Sequence, residues 1–161
     1  RAANNGIPSA VVSRKDFETM EAWDDAVVAA VEKSGAELVV LAGYLSLLGP
    51  KIVSKYSNRI INIHPALIPS FCGARMYGIR PHKAALAKGV KVSGATVHFV
   101  NENYDEGPIL LQKAVDVLPD DTPESLQKRI MQECEWKILP QAIRLIADGK
   151  VIIDNNICYV R

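Results

Sequence analysis

The run Leu38-Val39-Val40-Leu41-Ala42, closed by Gly43, constrains the fold more than any other segment. Unbroken apolar sequence leaves no side for solvent, so a strand of this kind needs cover on both faces. Helices packed on both sides of a sheet supply that cover. A short helical pattern from Pro50 to Tyr56 leads to a second apolar run, Arg59 to Ile63. Strand, helix and strand in this order make the two runs parallel neighbours in an α/β sheet.

The rest of the chain fits that class. Ala10 to Val12 reads as the start of a strand, and Ser13 as the cap of a helix with Asp16 at its third position and Phe17, Met20, Val27 and Val31 on one face. Ser34-Gly35 ends it. Pro65 to Ile79 holds too many prolines and glycines for a regular element and reads as a long functional loop. A helix from Pro81 to Gly89 follows. Val90 to Val100 and Ile109 to Val117 form an antiparallel pair across the polar segment Asn101 to Pro108. Thr122-Pro123 starts a long helix through Leu126, Ile130, Cys134 and Ile138, which Pro140 should kink or break and Asp148-Gly149 should end. Asp154-Asn155-Asn156 turns a terminal hairpin.

The 161 residues suit one domain, 1–161, with a full core. A net charge of +1 gives no broad basic field for nucleic acid. No apolar run approaches the ~20 residues of a membrane span, and the first residues lack the apolar core of a signal peptide. These features point to a cytoplasmic protein. Cys72, Cys134 and Cys158 contain no C-x-x-C pair and read as reduced thiols.

Chemistry concentrates at the end of the second run, Ile60-Ile61-Asn62-Ile63-His64-Pro65. Residues two apart in a strand point the same way, so the Asn62 carboxamide and the His64 imidazole share a face at the carboxyl end, where open α/β sheets bind ligands. Spacing alone allows a hydrogen-bonded turn or a site for a reaction that places charge on a carbonyl oxygen and moves a proton. His98 is either a satisfied core histidine or the group that orders the following loop, with Asp105 as its partner there. Asp105 alone reads as a turn former; beside His64 it would raise the ring's pKa and position a water. A metal held by His64, His98 and Asp105 is a further alternative. Serine-hydrolase elbows, phosphate loops, dinucleotide turns and zinc helices are all absent.

Three motifs in order, Asn62-Ile63-His64-Pro65-Ala66-Leu67-Ile68-Pro69-Ser70-Phe71-Cys72-Gly73, Gly94-Ala95-Thr96-Val97-His98-Phe99-Val100 and Asp105-Glu106-Gly107-Pro108-Ile109-Leu110-Leu111-Gln112, closely resemble the phosphoribosylglycinamide formyltransferase family. The likeness extends to Val39–Tyr44 and the carboxyl-terminal helix. It implies a Rossmann-like formyltransferase fold, mostly parallel with an antiparallel C-terminal part, and formyl transfer from 10-formyltetrahydrofolate to glycinamide ribonucleotide in purine biosynthesis. It places Asn62, His64 and Asp105 in a catalytic trio, with His98 supporting the aspartate and no metal.

The same resemblance sets the folate beside Leu45, Ser46, Leu47, Leu48 and Val53 and against Asn101, Glu102, Asn103, Tyr104 and Asp105. Without it, Leu45, Leu47 and Val53 are simply core. It sets the ribonucleotide near Ile63, Pro65, Gly73, Gln132 and Glu135, the last two otherwise solvated helix residues three apart on one face. The family opens with a strand and a phosphate loop that this chain does not show, so the expectation is an amino-terminally incomplete domain that alone binds the ribonucleotide poorly. Residues 74–79 read as a lid or an insertion, and the oligomer as monomer or homodimer. The rival readings are a formyltetrahydrofolate deformylase, which usually has a second histidine where this chain has Pro65, a methionyl-tRNA formyltransferase, disfavoured by the lack of an RNA-binding domain and basic balance, and a non-catalytic folate or nucleotide module.

Overall fold

The computed structural model describes residues 1–161. Its centre is a four-stranded mixed sheet ordered β1 (Val39–Leu41), β2 (Ile60–His64), β3 (Val92–Phe99) and β4 (Ile109–Asp116). The first pair is parallel, from Val39 opposite Ile60 to Leu41 opposite Asn62. The other two pairs are antiparallel, and they bring His98 opposite Asn62 and Thr96 opposite His64. The α/β class holds, with its parallel part confined to β1 and β2.

Two helices, α1 (Met20–Ser34) and α2 (Pro50–Lys55), cover one side. Ile52, Val53, Tyr56 and Ile60 form the core there, with Val27, Val28 and Val31 packed on it. The other side carries α3 (Arg80–Lys88), α4 (Pro123–Ile130) and α5 (Trp136–Ala147), over a larger core that includes Ile61, Ile63, Val97 and Phe99. Period-two alternation along β2 thus sends Ile61 and Ile63 to the larger core. Asn62 and His64 point the other way, with Ile60.

The amino-terminal expectation fails. Ala10–Val12 forms no strand, and Ser13 precedes only a 3₁₀ turn, Arg14–Asp16, whose Asp16 amide bonds the Ser13 carbonyl while the Ser13 side chain caps nothing. The helix is capped instead by Thr19, whose hydroxyl accepts from the Ala22 amide at 3.1 Å. The Trp23 indole donates to the Val12 carbonyl at 3.0 Å, so a side chain rather than a ladder secures this segment. β1 is also only half buried, because it ends the sheet and pairs on one edge alone.

The buried Asp24 on α1 closes the start of α2. Its carboxylate accepts from the amides of Lys51 (2.8 Å) and Ile52 (3.2 Å), two of the donors that a helix start leaves unpaired. Gly49 makes room, since a Cβ there would enter that carboxylate.

Pro140 does not break the long helix. The irregularity is a π turn, Met131–Glu135, upstream of it. Leu126, Ile130, Cys134, Ile138 and Ala142 are buried at a strict four-residue interval. Four residues overshoot one α turn of 3.6, so a straight helix would rotate this stripe off the sheet. The wider π turn takes back the excess and interrupts the ladder just before the proline. At the carboxyl end, β5 (Val151–Asp154) and β6 (Ile157–Val160) form a hairpin whose turn residues Asn155 and Asn156 both have positive φ (47° and 62°).

Candidate active site

Asn62 and His98 face each other across β2 and β3, with Nδ2 of the amide 3.1 Å from Nε2 of the ring. His98 Nδ1 lies 2.9 Å from the Phe99 carbonyl, which can only accept, so Nδ1 carries a proton and Nε2 is free to receive the amide. The sheet shifts register between Val97 and His98, a bulge that re-aims the histidine next to the cavity.

His64 is held the same way by a backbone acceptor. Its Nε2 donates to the Phe71 carbonyl at 2.9 Å, which turns Nδ1 toward Asp105 Oδ2 at 3.6 Å. Asp105 Oδ1 is 3.4 Å from His98 Nε2, and its Oδ2 accepts from the Gly73 amide at 2.8 Å. One carboxylate therefore touches both imidazoles and the long loop. Asp105 has a φ of 56°, a left-handed conformation that Asp tolerates better than most residues with a side chain. The loop that carries it is tight, since a Cβ on Gly107 would collide with the Phe99 carbonyl.

The charges follow from this packing. Burial by itself would raise the Asp105 pKa, but the close contact with His98, the hydrogen bond from the Gly73 amide and the neighbouring His64 outweigh it, so the carboxyl sits below its ordinary value. His64 moves down. Burial dominates there, and the Phe71 carbonyl and Asp105 offset only part of it. Asp105 does raise the ring's pKa, as expected, but removing the imidazole from water costs its charged form more than the carboxylate returns.

These groups end on a cavity of about 520 Å³. Leu45, Ser46, Leu47, Leu48, Asn101, Asn103 and Tyr104 line it, as do Ile63, Pro65, Gly73 and Glu135. Three other expected contacts lie elsewhere. Val53 belongs to the core under α2, and Glu102 and Gln132 are exposed outside the cavity. The π turn explains Gln132: where bonds run from i to i+5, residues three apart no longer stack. Gln127, Met131 and Glu135, four apart, line the wall instead. Sequence reasoning missed Gln127 and Met131, for which that spacing was the available signal, and it missed Tyr44, while Ala74 to Gly78 of the segment read as a lid or an insertion line the cavity. Burial raises the Glu135 carboxyl, which has no cation partner.

An amide and an imidazole at the end of a parallel strand thus meet a carboxylate from the loop after β3 beside one cavity, a layout suited to a group-transfer enzyme. The family model described as formyl transferase matches residues 1–143, and the chain belongs to that family. Its branch is that of the phosphoribosylglycinamide formyltransferases. The chain is 43% identical over 151 residues to "Phosphoribosylglycinamide formyltransferase, chloroplastic" of Arabidopsis thaliana, covering 93% of this chain and 51% of that protein. It thus spans about half the length of that relative. The crystal structure of glycinamide ribonucleotide transformylase 1 from Symbiobacterium toebii superposes with a TM-score of 0.91 at 40% identity, covering 99% of this chain and 72% of that one. A formyltetrahydrofolate deformylase from Pseudomonas syringae superposes with a TM-score of 0.84 at 32% identity, covering 98% and 51%.

Proposed function

We propose that this chain carries the reacting centre for transfer of the formyl group of 10-formyltetrahydrofolate to the amine of glycinamide ribonucleotide, a step of purine biosynthesis. The observation that carries the reading is the convergence of Asn62, His64 and Asp105 at one end of the cavity, with Asp105 3.6 Å from His64. The names of the relatives support the ribonucleotide acceptor, and the superposition on a formyltetrahydrofolate deformylase supports the folate donor.

Attack of the neutral amine on the formyl carbon forms a C–N bond and leaves an oxyanion. Asn62 donates its second amide N–H to that oxygen, and His64 donates an N–H from Nδ1 once that nitrogen is protonated, since its Nε2–H is held by the Phe71 carbonyl. Each such donor contributes roughly 3 to 4 kcal/mol at best in a water-poor site. His64, kept largely neutral by burial, takes the proton released by the attacking amine, through water, onto Nδ1, and Asp105 stabilises the imidazolium across the 3.6 Å gap until that proton passes on to the folate nitrogen. Asp105 also assists, through water, the passage of the amine proton to the folate nitrogen as the old C–N bond breaks. The folate lies along Leu45–Leu48 and against Asn101, Asn103 and Tyr104, and the Glu135 carboxylate receives N–H or O–H groups of the ribonucleotide.

Hydrolysis of the same donor is the second reading, favoured by the superposition on the deformylase. Pro65, in place of a second histidine, weighs against it. An assay of the full-length protein with 10-formyltetrahydrofolate, with and without glycinamide ribonucleotide, decides between them. Formyl transfer only when the ribonucleotide is present supports the proposal. Formate released without it selects hydrolysis, and turnover with neither overturns both.

A further inference from the structure

The loop that orients His64 and Asp105 is itself fastened at its root by a saturated polar clamp. Thr96 and Gln112 face each other across β3 and β4. The fully buried Thr96 hydroxyl donates to the Ala66 carbonyl at 2.7 Å and accepts from the Ile68 amide at 3.1 Å and from Gln112 Nε2 at 3.0 Å. One hydrogen and two lone pairs are all it has, and all are used. Gln112 Nε2 spends its other hydrogen on the Ile68 carbonyl at 2.9 Å. Both backbone polar groups of Ile68 and the Ala66 carbonyl are therefore tied to two side chains of the sheet.

A few residues further on, the same loop delivers the Phe71 carbonyl to His64 Nε2 and the Gly73 amide to Asp105 Oδ2. Phe71 holds a φ of 51°, a conformation that persists only where its surroundings impose it. A carbonyl is what decides which imidazole nitrogen carries the proton. We infer that Thr96 and Gln112 are positioning residues: by fixing the root of the loop they set the ring proton of His64 on Nε2 and the orientation of Asp105, without touching substrate. The inference rests on the proposed reaction for its kinetic consequence but not for its structural one.

Two readouts on the full-length protein test it. Thr96→Val keeps the shape and removes the hydroxyl; kcat should fall about tenfold or more while the folate KM changes by no more than about twofold, since an orienting role acts on the chemical step. The pH profile of kcat should shift with it. Independently, nitrogen NMR of the His64 ring should show Nε2–H in the native protein and a mixture of tautomers in Thr96→Val. Thr96→Ser should restore both. Should Thr96→Val not fold, Gln112→Leu, which removes only the two donated bonds, should move both readouts in the same direction. A folded Thr96→Val or Gln112→Leu with native pH profile and an unchanged Nε2–H signal overturns the inference. A native protein that transfers no formyl group overturns the proposed reaction instead, and the ring signal still decides the clamp.

Discussion

His64 and Asp105 divide the work at the residue scale. Burial keeps the imidazole below its ordinary pKa, and Asp105 is the only carboxylate opposing that shift. Asp105→Asn keeps the side-chain shape and removes the charge, so His64 should titrate lower still and kcat should fall on the order of 10²- to 10⁴-fold, the range for a lost proton-transfer group. Steady-state kinetics and an NMR titration of the ring check the two parts. Turnover within a few-fold of native would refute the assigned role. Asn62 and His64 were legible in the sequence because strand alternation obliges them to share a face. The Phe71 carbonyl was not, since every residue has one and only the path of the loop aims it.

At the scale of elements, two features carry predictions. Asp24 caps a helix that begins more than twenty residues away in sequence, so Asp24→Ala should lower stability by about 1 to 2 kcal/mol, the range for a lost N-cap, without altering α1 itself. Urea denaturation of the variant measures this. The π turn separates two residues that a regular helix would place together. Glu135→Gln should raise the KM for glycinamide ribonucleotide several-fold, whereas Gln132→Ala should leave it within about twofold, because only Glu135 faces the cavity. Equal effects would mean that the helix turns otherwise. Four of the five buried positions of this stripe were already visible as Leu126, Ile130, Cys134 and Ile138. The turn that keeps them on the sheet was not, because propensity in the sequence pointed to Pro140, while packing against the core chose the residues before it.

For the whole molecule, the clearest consequence concerns acid. His82 is fully buried with neither ring nitrogen bonded, and burial, reinforced by the charge of His64, lowers its pKa to about 4. Between that value and the ordinary 6.5 the unfolded chain binds a proton that the folded one refuses, so stability rises with pH across this window and is lost as pH falls through it. The loss amounts to about 3 kcal/mol by about pH 4, and the depressed Asp105 carboxyl adds to it at still lower pH. Denaturation midpoints from about pH 7 down to about pH 4 should trace this slope, and His82→Leu should reduce it to the part left by His64 while leaving neutral-pH stability equal or higher, since no hydrogen bond is lost. A slope unchanged in the variant would assign the acid sensitivity elsewhere. No helix is long and apolar enough to cross a membrane. By itself the sequence determined the α/β class, the parallel pair β1 and β2, the antiparallel strands and the shared face of Asn62 and His64, because periodicity and turn chemistry act over a few residues. The tertiary structure alone decided that one carboxylate meets both imidazoles, that Glu135 rather than Gln132 reaches the cavity, and that the His64 proton sits on Nε2. Those outcomes depend on contacts between segments up to some forty residues apart in sequence, such as Gln112 with Ile68, whose geometry no local pattern encodes.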